Sequence, residues 1–159
     1  MEPRMNAGIQ LKHQALTGRV IGVFLEVYNE LGAGFLESVY VNALAMALSQ
    51  AGLSVQREMP LAVRFRGSTV GDFRADLVVG GKVLVETKAC PSLISAHSAQ
   101  VLNYLRATIL EVGLLLNFGP KPSIKRFVFD NCRKRPLRCD PSSSCAHPRP
   151  FTASLAPRD

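Results

Sequence analysis

Between about Thr17 and Leu31 the apolar positions Val20, Phe24, Val27, Tyr28 and Leu31 recur at helical spacing, and Gly32-Ala33-Gly34 supplies a stop. An amphipathic helix is predicted there. A second is predicted from near Phe35 through Leu36, Val39, Tyr40, Ala43, Leu44, Ala47 and Leu48, with Gly52 just past its end. The two should form a helical hairpin. After Gly52 the period shifts to two: Leu53, Val55 and Arg57 alternate with Ser54, Gln56 and Glu58, and Leu61, Val63 and Phe65 with Ala62, Arg64 and Arg66. These stretches are read as strands. Gly67-Ser68 is read as a two-residue turn into a further strand that runs to about Val79, with Gly71 as a bend or bulge on the way. Gly80-Gly81 then turns the chain into a well-buried strand from Lys82 to Ala89.

From about Ile94 to Leu110, Val101, Leu102, Leu105 and Ile109 form a helical apolar stripe, with His97, Gln100 and Tyr104 on an adjoining flank. Val112 to Phe118 and Ile124 to Phe129 read as two last strands, separated by the breaker-rich Gly119-Pro120-Lys121-Pro122. Neither helices nor strands in that order can bury their apolar faces alone, so helices packed on a mixed sheet are expected. The resulting division is an arm over residues 1–16, a folded domain over 17–130, and a tail over 131–159. Large aliphatic residues nearly vanish from the tail, and it is expected to be disordered because it cannot offset the entropy of ordering.

Length changes the picture only by limiting it: 159 residues support one core and therefore one principal site. No apolar run approaches the roughly 18 to 20 residues of a membrane helix, and the first dozen residues lack the apolar stretch of a secretory signal. A cytoplasmic protein with no membrane partner is expected. The net charge of +7 points to an anionic partner such as nucleic acid. Six of the basic residues, Arg133, Lys134, Arg135, Arg138, Arg149 and Arg158, lie in the tail against Asp140 and Asp159, so the domain itself is only mildly basic. Cys132, Cys139, Cys145 and His147 could be weighed as a zinc set, but their spacing fits no common template, and free thiols are the simpler reading.

The chemistry lies in charged residues embedded in apolar strands. Asp76 sits in a Leu and Val strand, and Glu86, Thr87 and Lys88 follow Val83-Leu84-Val85, where an unpaired charge would cost several kcal/mol. A hard divalent cation would compensate two carboxylates, and could also take the main-chain carbonyl of Thr87. A salt bridge between Lys88 and either acid on a half-exposed sheet would also answer the charge pattern. Glu86 and Lys88, two residues apart, share a face. Asp76 joins that face only if it pairs with Glu86, which requires a three-residue loop or a bulge at Gly80-Gly81 rather than a plain two-residue turn.

Gly34-Phe35-Leu36-Glu37-Ser38-Val39-Tyr40 resembles the Gly-x-x-Glu-x-x-Tyr signature of the GxxExxY proteins, a bacterial branch of the PD-(D/E)xK nuclease superfamily. The likeness extends through Leu31-Gly32, the Gly-Leu-Ser-Val-Gln-Arg-Glu stretch from Gly52, Phe73-Arg74-Ala75-Asp76-Leu77, Glu86-Thr87-Lys88-Ala89 and Asn117-Phe118, and so covers residues 17 to 130. It implies an α/β fold with a restriction-endonuclease-like core, a mixed central β-sheet flanked by α-helices. It implies Asp76, Glu86 and Lys88 as the D, E and K of the site, and Glu37 as a helix-borne acid reaching the metal cluster. Metal ligands would then be Asp76, Glu86, the Thr87 carbonyl and Glu37, for Mg²⁺ or Mn²⁺. Gln100 and Tyr104 resemble a Gln-x-x-x-Tyr element, and with Tyr40 they complete the implied substrate-binding set.

The activity implied is metal-dependent hydrolysis of phosphodiesters in nucleic acid, DNA by preference. The alternative is a module of the same fold that binds nucleic acid or another partner and turns nothing over. For the single residues simpler roles also exist. An acid in the first turn of a helix, as Glu37 would be, is favoured by the helix dipole alone. Tyr40 could pack in the core with its hydroxyl satisfied.

Overall fold

The computed structural model describes residues 11–134. In chain order the elements are α1 (Gln14–Leu31), α2 (Glu37–Gln50), β1 (Val55–Phe65), β2 (Ser68–Val79), β3 (Val83–Lys88), α3 (Ser95–Ala107), β4 (Val112–Asn117) and β5 (Ser123–Val128), followed by a 3-10 turn at Asn131–Arg133. The strands form one five-stranded sheet in the order β1-β2-β3-β4-β5. All neighbours are antiparallel except β3 and β4, which are parallel and joined through α3. This is the expected mixed sheet flanked by helices. Among the described residues no helix is long and apolar enough to cross a membrane.

Two layers of core explain the apolar patterns. On one side α1 and α2 bury Val20, Phe24, Tyr40, Leu44 and Leu48 against Leu77, Val79, Val83, Val85, Leu114 and Leu116. On the other, α3 buries Val101, Tyr104 and Leu105 against Val78, Leu84 and Leu115. A strand covered on both faces is apolar wherever its side chains lack polar partners: all six residues of β4 are buried, and its one polar side chain, Asn117, is hydrogen-bonded to Cys90. Gly113 lets α3 come close, because a Cβ there would stand 2.6 Å from Val101 Cγ1.

Element boundaries differ from the periodicity in informative places. The first helix starts at Gln14, three residues early, with the Thr17 hydroxyl turned back onto the carbonyls of His13 and Gln14, so residues 14–16 belong to the domain rather than to the arm. The second starts at Glu37 rather than near Phe35, because the Phe35 N–H is taken by the Tyr40 hydroxyl. The first hairpin turns at Arg66-Gly67, not Gly67-Ser68: Phe65 pairs with Ser68, and both loop residues have positive φ. That is the geometry of a tight hairpin turn matched to strand twist. The expected irregularity near Gly71 is present, since Val63 pairs with Gly71 and Arg64 with Thr69, leaving Val70 as the extra residue.

Past the expected end of the domain, Asn131 donates its N–H to Glu111 and its side-chain amide to the Ile109 carbonyl. Lys134 Nζ donates to the carbonyls of Thr108 and Leu110. A cation on carbonyls at the end of α3 is favoured by the helix dipole. The rest of the tail, with Cys139, Cys145 and His147, lies outside the described residues.

Candidate active site

The decisive register is that of β2 on β3. Val79 pairs with Val83 and Leu77 with Val85, so Gly80-Gly81-Lys82 is a three-residue loop and Asp76 stands across from Glu86. Both glycines take positive φ, at 60° and 64°, and Lys82 N–H closes the turn on the Val79 carbonyl. The regular β2–β3 ladder ends at Leu77 and Val85. One residue beyond, the Asp76 carboxylate takes over: its Oδ2 accepts from the Thr87 N–H at 2.8 Å and from Thr87 Oγ1 at 2.9 Å. Thr87, an unusual hydroxyl in a buried strand, thereby fixes the Asp76 side chain.

The other neighbour of β2 opens at the same point. Arg57 pairs with Leu77 and Met59 with Ala75, but Glu58, across from Asp76, has a φ of 46°. Left-handed backbone is costly for a side chain other than Gly, and such residues gather at functional sites. At this residue the β1–β2 ribbon changes sides. Val55 and Leu77 pack into the core under α1 and α2, whereas Met59, Leu61 and Ala75 pack into the core under α3.

Glu86 is nearly enclosed, with 3% of its side chain exposed. Its Oε1 lies 3.2 Å from Lys88 Nζ, and its Oε2 is buried with no hydrogen-bond partner among the described residues. Burial pushes its carboxyl up to about 7, the nearby Asp76 charge adds to the rise, and Lys88 opposes it. Lys88 loses solvation by burial, but Glu86 and Glu37 outweigh that loss and hold its ammonium above the usual lysine range. Glu37 Oε1, in the first turn of α2, stands 3.4 Å from Lys88 Nζ. The structure therefore brings together Asp76, Glu86, Thr87, Lys88 and Glu37, with Glu37 meeting the lysine rather than the pair of carboxylates.

These residues fit a hard divalent cation through two oxygens. The orphaned Oε2 of Glu86 and the Oδ1 of Asp76, to which no described residue donates, are the two oxygens that would serve as donors. Among the described residues no three His, Cys, Asp or Glu side chains form a ready metal cluster. Two carboxylates completed by water or phosphate oxygens is a coordination typical of Mg²⁺.

The remaining residues separate. Gln100 Nε2 donates to the Tyr104 hydroxyl at 2.9 Å, so the two do form one polar unit on α3. His97 is engaged locally, its Nδ1 accepting from the Ile94 N–H at the start of the helix. The substrate-binding assignment of Tyr40 is corrected: its side chain is fully buried, and its hydroxyl is consumed by the Gly32 carbonyl and the Phe35 N–H. It orders the loop that presents Glu37. A further positioning residue, Asn117, stood out in the sequence only as part of a resemblance. Its buried side chain accepts from the Cys90 N–H and donates to the Cys90 carbonyl, while Phe118 N–H binds the Lys88 carbonyl at 2.7 Å. Phe118 in turn stacks on Tyr40, centroids 4.3 Å apart, worth about 0.5 to 1.5 kcal/mol beyond its burial. An Asn directly after the apolar run Leu114-Leu115-Leu116 was the available signal.

The pH dependence of stability follows from Glu86. Its carboxyl titrates at about 7 when folded and near 4.5 when free, so its contribution is fully present below about 4.5 and is lost as pH rises through 7. The metal-free protein should thus lose thermal stability between these pH values, and Glu86→Gln should remove that part of the slope in paired melting curves. Identical slopes in the two proteins would place the buried charge elsewhere.

A five-stranded mixed sheet between helical layers, with Asp on one strand facing Glu-x-Lys on the next, defines an α/β protein with a restriction-endonuclease-like core. A family model of the PD-(D/E)XK nuclease superfamily matches residues 14–127. The chain belongs to that superfamily. No curated protein and no solved structure matches it.

Proposed function

We propose that the protein is a divalent-metal-dependent nuclease of the GxxExxY type that hydrolyses phosphodiester bonds in nucleic acid, DNA by preference. The observation that carries the reading is the orphaned, buried Oε2 of Glu86 beside Asp76 and Lys88, a costly arrangement that a bound cation relieves. Asp76, Glu86 and the Thr87 carbonyl would hold Mg²⁺ or Mn²⁺. Such an ion supplies Lewis acidity and neutralises charge on the attacked phosphate. Lys88, kept cationic by its two acidic neighbours, orients the attacking water and stabilises the charge that develops on the phosphate oxygens. Glu37 steadies Lys88 and would accept from the water shell of a bound ion. Gln100 and Tyr104 are assigned to substrate binding from the α3 side.

Two measurements test the reading together. Mn²⁺ should raise the thermal midpoint of the wild type, because a ligand that binds only the folded form stabilises it by mass action, and Asp76→Asn should abolish the rise. An unchanged response in the variant would remove Asp76 from the site. Cleavage of DNA and RNA, each single- and double-stranded, should appear with Mn²⁺ or Mg²⁺ and vanish with EDTA. A protein that binds these substrates equally with and without metal and cuts none is a binding module instead.

A further inference from the structure

Phe73 has no part in the carboxylate site, yet the residue is 47% exposed three residues before Asp76. Leaving an aromatic side chain half in water forgoes the gain of burying it. The ring is nevertheless held in place. A Cβ added at Gly71 would come within 3.0 Å of it, and its centroid lies 6.0 Å from that of Tyr104. The rest of the ring lines a groove of about 770 Å³ between the β1–β2 ribbon and α3. That volume is in the range of small-ligand pockets.

The lining narrows the occupant. Phe73 and Tyr104 offer aromatic surface, Gln100 and Asn103 carry amides that can both donate and accept, and Arg64 and Arg106 bring positive charge. No carboxylate is among the lining residues. The groove also lies near the carboxylates in the chain: Phe73 and Asp76 are about 10 Å apart along β2. Tyr104 shares a core with Leu84, two residues before Glu86. A strand with a phosphate at Asp76 and Glu86 would carry a neighbouring base to Phe73. A base can stack on a side chain only when it is unpaired and out of its own helix.

We propose that this groove takes an unpaired nucleobase, stacked on Phe73 with its flanking phosphates toward Arg64 and Arg106, so that the strand delivered to the carboxylates is single-stranded. The inference rests on the nuclease reading for the identity of the polymer and adds the form of the substrate.

Fluorescence anisotropy with one labelled DNA oligonucleotide, alone and annealed to its complement, tests this in EDTA, where binding is read without cleavage. Wild type should prefer the single strand. Phe73→Ala should weaken single-strand binding about tenfold, the loss of one base stack, and leave duplex binding unchanged, while Phe73→Tyr should bind as the wild type does. Ala99→Phe, which fills the groove from an exposed position on α3, should reproduce the loss and serves if Phe73→Ala does not fold. Equal binding of duplex by the wild type, or equal effects of the variants on both forms, would overturn the proposal. So would unchanged DNA binding with an altered oligomeric state, which would make the groove a seat for a second copy of the chain. Metal-dependent cleavage by a wild type whose single-strand binding ignores Phe73 would sink this inference and spare the nuclease reading. Phe73-dependent single-strand binding without any cleavage would do the reverse.

Discussion

Lys88→Ala is expected to lower phosphodiester cleavage by about 10²- to 10³-fold, the usual loss when one preorganised charge is removed from a developing anion. Affinity for the same DNA should change little. The asymmetry follows from where the ammonium sits: only 14% of the side chain is exposed, and it is held between Glu86 Oε1 and Glu37 Oε1. A group so enclosed has little contact to offer a substrate in its ground state; in the proposed nuclease its contribution would come in the transition state, so kcat should fall while KM stays nearly constant. In a protein that only binds nucleic acid, Lys88 would be a phosphate contact. Its removal would then weaken binding modestly and reduce the salt dependence by roughly one unit. Measuring rate, affinity and salt slope on one DNA separates these cases. Cleavage that survives in Lys88→Ala would place the chemistry elsewhere.

Gly119→Ala is expected to be the most damaging single methyl in the domain. Its Cβ would lie 2.1 Å from the Cys90 carbonyl oxygen and 2.9 Å from Asn117 Nδ2. The first of these is main chain, and the second belongs to the side chain that holds Cys90 on both its N–H and its carbonyl. Neither can swing aside without breaking the junction that follows Lys88. Overpacking of this kind costs about 3 kcal/mol, which corresponds to a fall of roughly 10 °C in the thermal midpoint. Gly22→Ala, on α1 where a Cβ meets nothing within 4 Å, is the matched control and should not lower the midpoint. A midpoint for Gly119→Ala within 2 °C of the wild type would show that the junction yields.

The sequence by itself determined the elements, because period is a local property. Val20, Phe24 and Val27 must face one way on a helix, and the unbroken apolar run of β4 must be covered on both sides. It also determined the condition for the site: with Glu86 and Lys88 two apart, Asp76 could join them only through a three-residue loop at Gly80-Gly81, and that loop is present. Charged residues among Val and Leu announced a site because an uncompensated charge is costly wherever the fold buries it.

Tertiary structure decided what depends on partners distant in sequence. That Glu37 meets Lys88 across 51 positions, that Tyr40 spends its hydroxyl on the loop from Gly32 to Phe35, and that Asn117 clasps Cys90 are contacts no local pattern encodes. The turn at Arg66-Gly67 and the left-handed Glu58 were likewise hidden, since a residue other than Gly adopts positive φ only when surrounding contacts outweigh its steric cost. The change of side at Glu58 carries Phe73 into the groove under α3. Strict alternation, counted along an ideal strand, has no means of expressing that twist.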